Sequence, residues 1–509
     1  MFRGAQSSML FWTSMVTIVA MLVPILAAAA LEDWLIARTF MYYALFSAIL
    51  LYIYGVALGG NSAERTSGAA LLEAASVYIA VPIIAAAPVV DLYPNLGWRI
   101  VIFDMISAFT TTGTSRLANI GPVSDVIHLW RAMMAWLGGY YFLLIAFSVL
   151  GPLRINGCDA REDGSYTLTE SYYAAAYDAS RRTILRRFNK TVLPAYVTTT
   201  LVLFLGILIS GEDVTPAIVL SMSTLSTSGI VLVEHAPGFV AEVLIAVFLC
   251  LALSRFILAS QGAKRLREGF VGNPEIRIAF GLVFIVTIFL FSRHYAGAIN
   301  QDSVDDFGTA ISALWGSFFT SLSFLTTSGF VSEYWAGAQE WSDLETSELI
   351  LMALAICGGG VATTAGGVKL LRVYTLTQHG LRELNKLSSP SSVPRSDGVR
   401  GMRRRSVMNS WVVVMLFGFS IGLFTLIFTL TGHQFEDALL LTVAGLSTTG
   451  PLLTEAASGR DLVTPLSNFE LTVLEVAMIA GRLEALAVLA LFNPILWQNR
   501  IGREKRNFA

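Results

Sequence analysis

Four times along this chain a short run of hydroxyl residues ends in a glycine, each time between two long apolar stretches. The runs are Thr110-Thr111-Thr112-Gly113, Ser226-Thr227-Ser228-Gly229, Thr326-Thr327-Ser328-Gly329 and Ser447-Thr448-Thr449-Gly450. A glycine beside small hydroxyl residues lets the backbone turn its carbonyls inward without steric penalty. Four such turns about one axis would make a ring of carbonyl dipoles able to replace the hydration shell of a monovalent cation. Nothing charged lies within the runs, so backbone carbonyls and some hydroxyls are the expected ligands. One such run says little, since glycines in apolar helices often serve close packing. Four of them, each behind an apolar segment too short to cross a bilayer, point to ion permeation.

The rest of the chain agrees with a membrane setting. Of 509 residues 55% are hydrophobic and only 14% charged, with a mean hydropathy of +0.65. Soluble domains carry roughly 25% charged residues. Apolar runs place spans near 8–30, 39–59, 70–92, 127–152, 188–210, 239–261, 275–297, 349–371, 407–431 and 469–497. The first run reads as a retained helix rather than a cleaved signal, because it is long and a second span follows at once. Between full spans, Trp98 to Thr112 and similar half-length segments before Gly229, Gly329 and Gly450 read as re-entrant helices. The expected fold is an all-α polytopic membrane protein: two leading helices, then four helix, half-helix, loop, helix repeats around a central pore. The expected divisions are 1–62 for the leading helices, then repeats over 63–155, 156–268, 269–390 and 391–509, the last ending in a cytoplasmic tail. Basic residues cluster in 154–190, 369–406 and the tail, whereas 294–348 has no Lys or Arg, so both termini are expected in the cytoplasm. Net charge is −2, which identifies no partner. Cys158, Cys250 and Cys357 are scattered and form no metal or redox motif. The five histidines lack metal-ligand spacing, and no phosphate loop or nucleophile elbow stands in a suitable context.

Two further features lie in the spans. Cys357-Gly358-Gly359-Gly360-Val361-Ala362-Thr363-Thr364-Ala365-Gly366-Gly367-Val368-Lys369 falls where the last helix of the third repeat should run. Each glycine costs a helix about 1 kcal/mol, so a broken helix with a flexible intramembrane loop is expected, placed just below the ring as a gate. Arg482, within Gly481-Arg482-Leu483-Glu484, lies deep in the final span and should face the pore or a buried partner such as Glu475. Asp104 is read as the start of the first half-helix, where a carboxylate suits the helix N-terminus.

Together these residues resemble the TrkH/KtrB/HKT superfamily of potassium transporters, most nearly its bacterial TrkH branch, over nearly the whole chain. The resemblance implies potassium uptake across a bacterial inner membrane by a homodimer with a pore in each subunit. It also implies a cytosolic, nucleotide-binding regulatory subunit like TrkA. It assigns the selectivity filter, and K+ as the bound ion, to Thr111, Thr112, Gly113, Thr227, Ser228, Gly229, Thr327, Ser328, Gly329, Thr448, Thr449 and Gly450. The gate becomes Gly358, Gly359, Gly360, Thr363, Thr364, Gly366, Gly367 and Lys369, and the pore barrier Arg482. Members with serine at the first filter position tend to conduct sodium, so Gly113 favours potassium. Two departures stand out: Ala362 replaces a frequent gating-loop glycine, and Pro451-Leu452-Leu453 follows the fourth filter glycine without a further glycine. No cofactor, nucleic-acid partner or enzymatic site is expected, because no titratable groups converge in the sequence. The alternative is a secondary transporter coupled to H+ or Na+, which would call for two inverted halves rather than four same-sense repeats.

Overall fold

A computed structural model describes residues 8–57, 67–117, 123–146, 181–232, 237–253, 274–300, 307–342, 348–361, 363–388, 404–455 and 460–484. Cys158, Ala362 and the basic tail beyond Arg500 lie outside the described residues. The chain opens with α1 (Met9–Ala20) and α2 (Leu22–Ala30), which bend at Met21, and α3 (Trp34–Ala57) packs against both. Glu73 accepts hydrogen bonds from Ser8 Oγ and the Met9 amide, both at 2.7 Å, and so ties the start of α1 to the first repeat. That satisfies amide groups that no helix can satisfy for itself.

Repeat 1 is α4 (Ser67–Leu92), α5 (Gly97–Phe109) and α6 (Asp125–Ile145). Repeat 2 is α7 (Arg181–Ile209), α8 (Val214–Ser226) and α9 (Phe239–Leu249), the last tightening into a 3-10 turn at Cys250–Leu253. Repeat 3 is α10 (Pro274–Asn300), α11 (Phe307–Leu325), a short α12 (Glu333–Ser342), α13 (Glu348–Cys357) and α14 (Leu370–Ser388). Repeat 4 is α15 (Arg404–Leu430), α16 (Phe435–Ser447), α17 (Leu452–Glu455) and α18 (Asn468–Arg482). Among the described residues, seven helical stretches are long and apolar enough to cross a membrane.

Helices α5, α8 and α16 have 13 residues each, about 20 Å of rise, well short of a roughly 30 Å hydrocarbon core. The expected half-length holds there. It fails for α11, whose 19 residues reach a full span's length. Two other expectations are corrected. The span expected over 469–497 is interrupted, because α18 ends at Arg482 and Glu484 turns left-handed at φ +58°. Asp104 does not begin α5, which starts at Gly97; it sits well inside the helix and is fully buried.

Glycines bring the helix pairs together. A Cβ on Gly138 of α6 would lie 1.9 Å from the Phe109 carbonyl oxygen, and one on Gly481 of α18 would lie 2.1 Å from that of Leu446. Phe109 and Leu446 directly precede the hydroxyl runs of loops 1 and 4. In both repeats the last helix is therefore pressed, backbone against backbone, onto the end of the short one.

Candidate functional site

Each of the four helices that precede a hydroxyl run ends in the same way. The second hydroxyl residue of each run is left-handed: Thr111 at φ +59°, Thr227 at +55°, Thr327 at +58° and Thr448 at +55°. This is uncommon for any residue but glycine and rarer still for a β-branched one, so the surroundings must impose it. The hydrogen bonds show how. The next amide folds back on its own helix: Thr112 to Ser107 O at 2.9 Å, Ser228 to Ser223 O at 3.0 Å, Ser328 to Ser323 O at 3.0 Å and Thr449 to Ala444 O at 3.0 Å. In a planar trans peptide the N–H and C=O point in opposite directions. With the amide bonded to the helix, the carbonyls of Thr111, Thr227, Thr327 and Thr448 face away from it.

The loops meet in sequence order and close on themselves. A Cβ on Gly113 would lie 1.9 Å from Ser228 O, and one on Gly229 would lie 2.0 Å from Ser328 O. Gly329 backs onto the Pro451 ring, and the Gly450 amide donates to Thr112 O at 2.7 Å. Loop 1 therefore touches 2, 2 touches 3, 3 touches 4, and 4 returns to 1. All twelve hydroxyl residues of the four runs are buried. The structure thus brings together all twelve filter residues proposed from sequence. The fourth loop differs from the others. Gly113, Gly229 and Gly329 are left-handed, whereas Gly450 is not, and the chain turns straight into α17.

Behind loop 1 the buried Asp104 carboxylate accepts from Ser115 Oγ at 2.7 Å and from the amides of Arg116 and Leu117 at 2.8 and 3.3 Å. Arg131 of α6 lies 3.5 Å from the same carboxylate and extends a second nitrogen to Gly113 O at 3.4 Å. Glu242 of α9 plays a matching part behind loop 3, accepting from Trp315 Nε1, Ser332 Oγ and the Glu333 amide at 2.7, 2.8 and 2.9 Å. Arg131 and Glu242 escaped the sequence reading. Their signal was an ionisable residue inside an apolar helix, the kind of residue that is costly unless paired.

The helix break between α13 and α14 falls at the glycine cluster, as expected. The loop is not loose in this conformation. Its two ends are clamped by Val368 N–H to Ile356 O at 2.9 Å and Leu370 N–H to Gly359 O at 3.0 Å. A Cβ on Gly358 would meet Gly366 O at 2.2 Å, so the ends touch. Its tip presses on the ring. Thr364 Oγ1 donates to Leu225 O at 3.0 Å, and the Gly366 amide donates to the Thr327 hydroxyl at 2.6 Å. Gly366 also abuts Ser447 O. Loops 2, 3 and 4 are thereby engaged at their helix ends. Thr363 Oγ1 bonds within the loop to Gly360 O at 2.7 Å, and Gly360 N–H donates to Ala252 O of the 3-10 turn at 3.1 Å.

Three buried cations hold the loop from below. Arg482 Nη1 donates to Thr364 O at 2.6 Å, with its guanidinium over the Phe142 ring at 4.1 Å. Lys369, left-handed at φ +81°, reaches the Ala365 carbonyl with Nζ. Arg372 pairs with Glu484. The expected partnership of Arg482 with Glu475 is not formed, because Glu475 is held by Arg99 of α5 at 2.5 and 3.1 Å.

Four helices whose terminal hydroxyl-glycine loops touch one another in sequence order, inside a polytopic helical fold, define the class: an all-α membrane protein with its four loops gathered at one centre. Comparisons with known proteins agree. Residues 276–502 match the family model TrkH, described as a cation transport protein. The chain is 26% identical over 419 residues to the Trk system potassium uptake protein TrkH of Escherichia coli K12, covering 80% of each. It is 24% identical over 437 residues to the Trk system potassium uptake protein TrkI of Halomonas elongata, covering 83% of this chain and 82% of that one. The crystal structure of the potassium transporter TrkH from Vibrio parahaemolyticus shares the fold, with a TM-score of 0.77 over 98% of this chain at 21% identity. The chain is thus similar in sequence to TrkH-type cation transport proteins over most of its length, and shares their fold.

Proposed function

We propose that this protein takes up potassium through the ring of four loops, and that the glycine-rich loop gates it. The observation that carries the reading is the ring itself: four threonines forced left-handed, with the next amide folded back on each helix and the threonine carbonyl turned away from it, in loops that touch one another in order. Such carbonyls suit a cation that sheds its water readily. The names of the two relatives above, both Trk system potassium uptake proteins, support the choice of ion. Glycine at 113 supports potassium over sodium, in line with the family pattern. The filter comprises Thr111 to Gly113, Thr227 to Gly229, Thr327 to Gly329 and Thr448 to Gly450. The gate comprises Gly358 to Lys369, with Arg482 as a fixed positive charge beneath it. The basic segments 369–406 and the basic tail support cytoplasmic termini in a bacterial inner membrane. A homodimer and a TrkA-like cytosolic subunit complete the proposal. In liposomes containing the purified chain, rubidium uptake should exceed sodium uptake. Equal uptake of the two ions, or none of either, would refute the reading.

A further inference from the structure

The two ends of the ring are not equivalent. At the inner end, next to the glycine-rich loop, all four loops present the same released threonine carbonyl. At the outer end the fourth loop breaks the pattern. The Pro451 ring packs on Gly329 of loop 3 and also on Gly229 of loop 2: a Cβ on Gly229 would lie 2.6 Å from Pro451 Cγ, and one on Gly329 would lie 2.8 Å from Pro451 Cβ. Loops 2 and 4 are diagonal in the ring order. A side chain from loop 4 that touches both loop 2 and loop 3 therefore lies over the space the loops enclose.

The carbonyls of this end are also spent. The Gly450 amide occupies Thr112 O at 2.7 Å. Leu452 and Leu453 amides occupy Thr449 O and Gly450 O at 3.2 and 2.9 Å as α17 begins. Proline favours that start, since its fixed φ and missing N–H suit the first turn of a helix. A cation at the outer end would find a pyrrolidine ring, with three carbonyls already bonded to protein amides.

We propose that Pro451 determines permeation as an outer lid, in series with the glycine-rich loop. An ion passes only when loop 4 withdraws, which frees the Thr112 carbonyl and opens the mouth. The inference rests on the reading of the ring as a cation filter.

The test compares rubidium and caesium influx into liposomes for the full-length wild type, P451A and P451G. P451A should raise rubidium influx roughly tenfold, the equilibrium shift expected from losing two buried ring methylenes. The caesium-to-rubidium ratio should rise as well, because the widened mouth admits the larger ion, and P451G should do at least as much. Influx and ratio in P451A equal to those of the wild type would overturn the lid. A wild type that takes up no rubidium would overturn the filter reading itself. Should P451A elute as aggregate, P451C gives a second route. A small cationic thiol reagent added outside should block its influx, with the wild type, which retains its own cysteines, unaffected. Influx through labelled P451C that stays unblocked would also overturn the proposal.

Discussion

Gly113 has no room for a methyl group. Its φ of +83° costs an L-residue about 1–2 kcal/mol, and a Cβ there would stand 1.9 Å from a backbone oxygen of the next loop. The obstacle is backbone, so no side chain can rotate away to relieve it. A serine at 113 must push loops 1 and 2 apart, which widens the ring rather than filling it. Gly113→Ser should therefore bring the rubidium-to-sodium permeability ratio close to one, read as a shift in reversal potential. Preserved selectivity would mean that loop 1 does not set the ring's diameter. Asp104 and Arg131 act one layer behind. Asp104→Asn leaves Arg131 buried without its counter-charge, a loss on the order of 3 kcal/mol. The variant should unfold at a lower temperature in detergent, and the double variant Asp104→Asn, Arg131→Met should recover much of that loss. A double variant no better than the single one would show that the pair is not the cause.

At the scale of elements, the short helices were legible because composition and length exposed them. The apolar stretch from Trp98 ends at Thr110 with no room to span, and the glycine cluster after Cys357 cannot sustain a helix. The full length of α11 was hidden because its hydroxyls, Ser317, Thr320, Ser321 and Ser323, dilute its hydropathy while bonding inward or facing buried neighbours. The clamps on the glycine-rich loop were illegible for another reason. Leu225 O, Thr327 Oγ1 and Thr364 O meet the loop or Arg482 only through the folded chain, and no local spacing announces such contacts. They make the loop a latched element rather than a slack one. Thr364→Val removes the donor to Leu225 O but keeps the carbonyl that Arg482 holds. One hydrogen bond is worth about 1 kcal/mol net, so basal flux should rise about fivefold, while Thr364→Ser should stay near the wild type. Arg482→Ala removes the lower latch and its positive charge together, and should raise flux further. Arg482→Lys should fall between, since it keeps the charge but not the fork of donors. A folded Thr364→Val protein with unchanged flux would assign the loop to packing instead.

For the whole molecule, the decisive matter is what the ion meets along the axis. The four hydroxyl-glycine loops carry no charged side chain and meet one another in sequence order. A proton-coupled carrier needs a carboxylate or histidine that both ions reach in turn. The buried carboxylates Asp104 and Glu242 sit behind the ring, each bonded by three donors that hold loop backbone in place. Glu475 and Glu484 are engaged by Arg99 and Arg372. None of these four carboxylates can exchange a proton with a passing ion without dismantling a structural contact. Each potassium ion should thus cross alone and carry one charge. Rubidium influx into liposomes should rise as the interior is made negative, and at a clamped potential it should not respond to an imposed proton or sodium gradient. Current measured beside tracer uptake should equal one charge per ion. A proton gradient that drives rubidium accumulation at zero potential would instead require a titratable group in the path, and would replace uncoupled permeation with a coupled mechanism.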